Sequence, residues 1–140
     1  MSEPTITYFH MGQWPVYVGF TTSPKAFRKE LKRLGIKRDV PFAARARADA
    51  ATHYLTSEYG KTCCIITMPS CGKRSHSQYA ALVAHEAMHV IQEMHRELNN
   101  DRPFGDEADA YLIQCIVQNC LQEAFQENLV TAYEPSGDEA

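Results

Sequence analysis

Residues 78–98 read "QYAALVAHEAMHVIQEMHREL", a stretch without glycine or proline whose apolar residues recur at helical spacing. The expectation is one long helix, capped at its start by Ser77 and ending near Leu98. Within it stand His85, Glu86 and His89, the pattern HExxH. Residues four apart lie one above the other on a helix face, so the imidazoles of His85 and His89 can reach a single metal ion. Glu86 is displaced by about 100 degrees around the axis, where its carboxylate would reach a water beside the metal instead of the metal itself. Zinc lowers the pKa of its bound water to roughly 7, and a neighbouring carboxylate can take that proton during attack on a carbonyl and hand it to the leaving nitrogen. Peptide-bond hydrolysis is the reaction this arrangement serves best.

Chance has to be weighed against this. With six histidines and eleven glutamates, a shuffled chain would contain HExxH in roughly 2% of cases, so the setting of the motif matters more than its presence. Here Ala81, Leu82, Val83, Ala84, Ala87, Met88, Val90 and Ile91 surround it. Two histidines and a glutamate in so apolar a segment cost desolvation energy, which a bound metal would offset.

A catalytic zinc needs a third protein ligand and an open fourth position. Past the break "NNDRPFG", Glu107 opens a second helical stretch, "DEADAYLIQCIVQNCLQEAFQ", and an antiparallel helix pair would return it to the level of the histidines. Asp106 is the close rival and Asp109 a weaker one, since acidic residues in a first helical turn are also ordinary caps for the macrodipole. Ala108, Leu112, Cys115, Ile116, Leu121 and Phe125 supply the apolar stripe of this helix.

Upstream, "WPVYVGF" puts Trp14, Val16, Val18 and Phe20 on one face of a strand, with Pro15 suited to its start. Ser23 as N-cap, Pro24 at the first position and Gly35 past the end bound a helix from Pro24 to Leu34. Its charges, within "KAFRKELKRLGIKR" from Lys25 to Arg38, read as the wet face of a surface helix. The Ala-rich run "FAARARADAATHYLTSEYG" suggests a further helix on propensity, ended by Gly60. Thr62 to Met68, rich in β-branched residues and stopped by Pro69, reads as a short strand, and "SCGKRSHSQ" as a loop. The acidic tail, from about residue 129 to 140, reads as flexible.

A chain of 140 residues, 44% hydrophobic, suits one domain, and a formal charge of -3 argues against a polyanionic partner such as nucleic acid. No basic leader precedes an apolar run, and no stretch approaches eighteen apolar residues, so no membrane association is expected and the cytoplasm is the expected location. Cys63, Cys64, Cys71, Cys115 and Cys120 lack paired CxxC spacing and suit reduced thiols better than a disulfide framework. His76, Tyr79 and His95 flank the motif, and surface or packing roles are the simpler expectation for each.

"HEAMH" followed by "GDEADAY" resembles the zincin metallopeptidases of the gluzincin branch, whose third ligand is a glutamate on the following helix. It is similar in particular to small HExxH proteins of phage and prophage genomes, over about Thr62 to Gln118. The resemblance implies an α+β fold of zincin type, a small sheet packed on long helices. It implies zinc held by His85, His89 and Glu107, with Glu86 as general base. Thr62 to Met68 would be the strand whose free edge pairs with extended substrate. Where larger gluzincins place an acidic residue one turn after the glutamate, this chain has Tyr111, which would support a ligand or the transition-state oxyanion.

The expected function is therefore that of a zinc-dependent peptidase acting on a peptide or protein through a shallow cleft, with room for an accessory protein partner. Two other classes compete. One is a zincin-like protein that binds zinc for structure or recognition without turnover. The other is a metal-free helical binding module carrying HExxH by coincidence.

Overall fold

The computed structural model describes residues 5–9, 11, 16–43, 50–98 and 105–126. Among these, four strands and three helices alternate as β1 (Thr7–Phe9), β2 (Tyr17–Thr21), α1 (Pro24–Arg33), β3 (Ala51–Thr56), β4 (Thr62–Thr67), α2 (His76–Leu98) and α3 (Glu107–Phe125). The strands form one mixed sheet in the order β1-β2-β4-β3, with β2 and β4 parallel and both outer pairings antiparallel. The architecture is thus α+β.

Side-chain alternation divides the sheet into two faces. Val18 and Phe20 of β2 and Cys64 and Ile66 of β4 point to the face covered by α2 and α3, where they join Val83, Ala87, Val90, Ile91, Met94 and Ile116. Cys63, Ile65 and Leu55 point the other way, onto Phe27 and Leu31 of α1. Both faces of β4 are therefore buried, which accounts for its uninterrupted apolar run.

The first helix forms as its boundary residues dictate. Ser23 Oγ accepts from the Ala26 amide at 3.1 Å, Pro24 occupies the first turn, and Gly35 takes φ +76 just past the end. Val16, Val18 and Phe20 are buried, as the strand pattern requires, whereas Trp14 and Pro15 lie outside the described residues. The short strand β1 has no counterpart in the sequence reading.

The Ala-rich run departs from expectation. Residues 51–56 are a strand, not part of a helix; residues 44–49 lie outside the described residues. Helix propensity differs among ordinary residues by only about 0.7 kcal/mol each, and tertiary pairing outweighs it here. In β3, Ala51, His53 and Leu55 stand opposite Thr67, Ile65 and Cys63, so the strand satisfies backbone groups along the buried β4 that would otherwise lack partners. Gly60 is consequently no helix cap: with φ +83, and with its amide donating to the Ser57 carbonyl at 2.9 Å, it closes the β3–β4 turn. A second correction follows, because β4 is paired on both sides and has no free edge. The edge strand beside α2 is β3.

The long helix starts at His76, and its cap is Ser75 instead of Ser77. Ser75 Oγ accepts from the Gln78 amide at 3.2 Å while Gln78 Oε1 accepts from the Ser75 amide at 2.8 Å, a reciprocal capping box. No helix among the described residues is long and apolar enough to cross a membrane. The tail from residue 129 lies outside the described residues.

Candidate metal site

Helix α2 buries Tyr79, Val83, Ala87, Val90, Ile91 and Met94 as one stripe, which turns His85 and His89 toward the opposite, wetter side. Their Nε2 atoms converge to 3.3 Å. Two nitrogens about 2.0–2.1 Å from a tetrahedral zinc lie about 3.3–3.4 Å apart, so the pair already has the spacing of two corners of such a site. His89 Nδ1 stands 3.0 Å from Gln92 Oε1, an oxygen that can only accept. A ring proton on Nδ1 would donate to this oxygen and leave Nε2 with the lone pair a metal requires.

Glu86 occupies the border between the two sides of the helix. It is 6% exposed, and its carboxylate accepts from Thr52 Oγ1 on β3. The same hydroxyl is 3.3 Å from the Glu86 backbone carbonyl. Two residues along β3, Tyr54 donates its hydroxyl to the His89 carbonyl at 3.0 Å. Burial, assisted by the neighbouring Cys64 and Glu93, pushes this phenol up to about 12, so it remains a donor throughout the neutral range. Edge strand β3 thus fastens the motif helix at both Glu86 and His89.

The other sequence candidates are distributed differently. Asp106 is the N-cap of α3, its carboxylate accepting from the Asp109 amide at 3.1 Å. Asp109 is 1% exposed and accepts from the Gly105 amide at 2.8 Å. His95 Nε2 lies 2.9 and 2.8 Å from the two Asp109 oxygens, a hydrogen-bonded contact between α2 and α3. This pair fixes the register of the two helices. Counting from it at 1.5 Å per residue, Glu107 lies beyond the level of His95, and His89 lies about 9 Å back along α2. Glu107 is exposed, and no group of three His, Cys, Asp or Glu side chains suited to a metal forms among the described residues. Tyr111 is 64% exposed. The structure therefore brings the His85 and His89 nitrogens together, with Glu86 next to His85 in the chain, and Glu107 forms no group with them among the described residues.

Of the flanking residues, Tyr79 is fully buried and donates to the Pro69 carbonyl at 2.9 Å, and the His76 ring packs on Phe125 at 4.3 Å. Both serve packing. Thr52, Tyr54 and Gln92 were not anticipated. Gln92 could have been found from its spacing, three residues after His89 on the same face. Thr52 and Tyr54 could not, since they lie more than thirty residues upstream in a segment that reads as helix.

No family model, no curated protein and no solved structure matches this chain.

Proposed function

We propose that this protein is a zinc-dependent peptidase of zincin type in which His85 and His89 hold the metal and Glu86 is the general base. The observation that carries the proposal is the 3.3 Å convergence of the two Nε2 atoms, with His89 oriented by Gln92. Zinc at this pair would polarise a scissile carbonyl and lower the pKa of water. Glu86, held by Thr52 at the junction of α2 and β3, accepts the proton of the attacking water and passes it to the departing amine. Among the described residues β3 pairs with a strand on one side only, and its outer edge is where an extended peptide would align by strand addition. Glu107 completes the ligand set only if α3 moves along α2, and Tyr111 remains the candidate donor to the oxyanion on the same helix.

The His95–Asp109 register favours a second reading, a zinc-binding protein without turnover. One set of variants separates the two. Protein purified without a histidine tag should contain one zinc per chain by elemental mass analysis, and His85→Ala or His89→Ala should contain none. Glu86→Gln should keep the metal and lose hydrolysis of a quenched-fluorescence peptide library. Zinc in wild type without any peptide turnover selects the second reading, and equal metal content in all variants overturns both.

A further inference from the structure

Seven of the fourteen Lys and Arg residues fall between Lys25 and Arg38, with Glu30 as the one acid among them. That stretch carries a local charge of +6 and leaves -9 for the remainder of the chain. All seven cations are exposed. Arg33 pairs with Glu30, whereas Arg28, Lys32, Lys37 and Arg38 form no ion pair among the described residues. These four surround one recess. It is a cavity of about 500 Å³ between α1 and the chain that returns from Ile36 to Phe42, on the face of the sheet opposite the histidine pair.

The floor of the recess is apolar. Ile36, Val40 and Phe42 are half-buried and Pro41 is exposed, and they supply its accessible apolar surface; Phe27, which meets Phe42 edge to face at 6.0 Å, and Leu31 close the bottom as core residues. Among its lining residues, Asp39 is the only acid. The segment returning from Ile36 brings Lys37 and Arg38 to the same recess as Arg28 and Lys32, which the wet face of α1 alone would not do. The combination of a cationic rim and an apolar floor complements a peptide that alternates carboxylates with apolar side chains. A nucleic acid strand is the poorer match, because the remainder of the chain carries -9 and would repel a polyanion that extends beyond the recess.

We infer that this groove docks an acidic segment of a partner protein that carries one or two apolar side chains. The floor is tied to β3 from beneath. The His53 ring packs on Phe27 at 4.6 Å and its Nε2 lies 3.2 Å from the Phe42 carbonyl, so the docked segment would lie over the strand whose preceding residue, Thr52, holds Glu86. The inference does not depend on metal or hydrolysis.

Fluorescence anisotropy on the full chain tests it with three labelled probes: a ten-residue peptide of glutamates interrupted by a leucine and a phenylalanine, a polyglutamate of equal length, and a single-stranded oligothymidylate. Two double variants share one change of net charge. Lys32→Glu with Lys37→Glu alters the rim, and Lys25→Glu with Lys61→Glu alters exposed positions outside the groove; circular dichroism verifies that both fold. The mixed peptide should bind wild type more tightly than either other probe, and the rim variant should weaken it by about tenfold or more while the distal variant changes it little. Equal binding of polyglutamate, tighter binding of the oligonucleotide, equal loss in both variants, or no binding of the mixed peptide would each overturn the inference.

Discussion

Thr52 on β3 donates its hydroxyl to the buried carboxylate of Glu86 on α2, joining the edge of the sheet to the middle of the HExxH motif. A carboxylate this enclosed needs a donor, since a buried polar group without one loses the hydrogen bonds it makes with water. Thr52→Val keeps the shape of the side chain and removes the donor, so it should cost about 1–3 kcal/mol of stability. Thr52→Ser should restore most of that. Urea denaturation of the three proteins measures it, and identical midpoints for Val and wild type would show that Glu86 does not rely on this bond.

Gln92 makes a separate claim about the metal pair. If Gln92 Oε1 fixes the His89 tautomer, Gln92→Leu should weaken zinc affinity by about 10–100-fold without unfolding the helix, because the position is exposed. Competition with a chromophoric chelator reads the affinity directly. Unchanged affinity would mean that His89 is oriented by something else, Tyr54 at its carbonyl being the nearest alternative.

The His95–Asp109 pair is the polar lock between α2 and α3. Removing His95 takes one hydrogen-bond partner from the 1% exposed Asp109 while the Gly105 amide still donates to it, so His95→Ala should cost about 1–3 kcal/mol. Asp109→Asn should cost less because it removes the charge and keeps hydrogen-bonding atoms. Thermal unfolding of both variants distinguishes the cases, and equal melting temperatures would rule out a charge-based role.

His53 gives the protein a pH dependence with a definite sign. Burial holds its imidazole below the ordinary value of 6.5, reinforced by the charge of Arg38 and opposed by the Phe42 carbonyl and Glu86. The folded state then binds fewer protons than the unfolded chain, so this stabilising contribution is complete above pH 6.5 and is lost as pH falls from there through the folded value. His53→Gln should flatten that part of the profile while keeping a polar group beside Thr67. Urea midpoints at about pH 7.5 and 5 should differ less in the variant than in wild type, and equal slopes would assign the acid sensitivity to other groups.

Local signals determined much of the chain by themselves. Ser23, Pro24 and Gly35 bounded the first helix, and the glycine-free and proline-free run through residue 98 specified the second. The i, i+4 spacing of His85 and His89 also placed the two rings on one face, because helix geometry alone sets that. These are properties of neighbours along the chain. The strand at residues 51–56, the edge position it holds, and its bonds to Glu86 and His89 depended on partners far away in sequence. Alanine propensity there favoured helix, and pairing with a buried strand prevailed because β4 needs hydrogen-bonding partners on both sides. The level of Glu107 was likewise out of reach of spacing alone. It followed from the His95–Asp109 contact, since the register of two packed helices is set by which side chains pair between them.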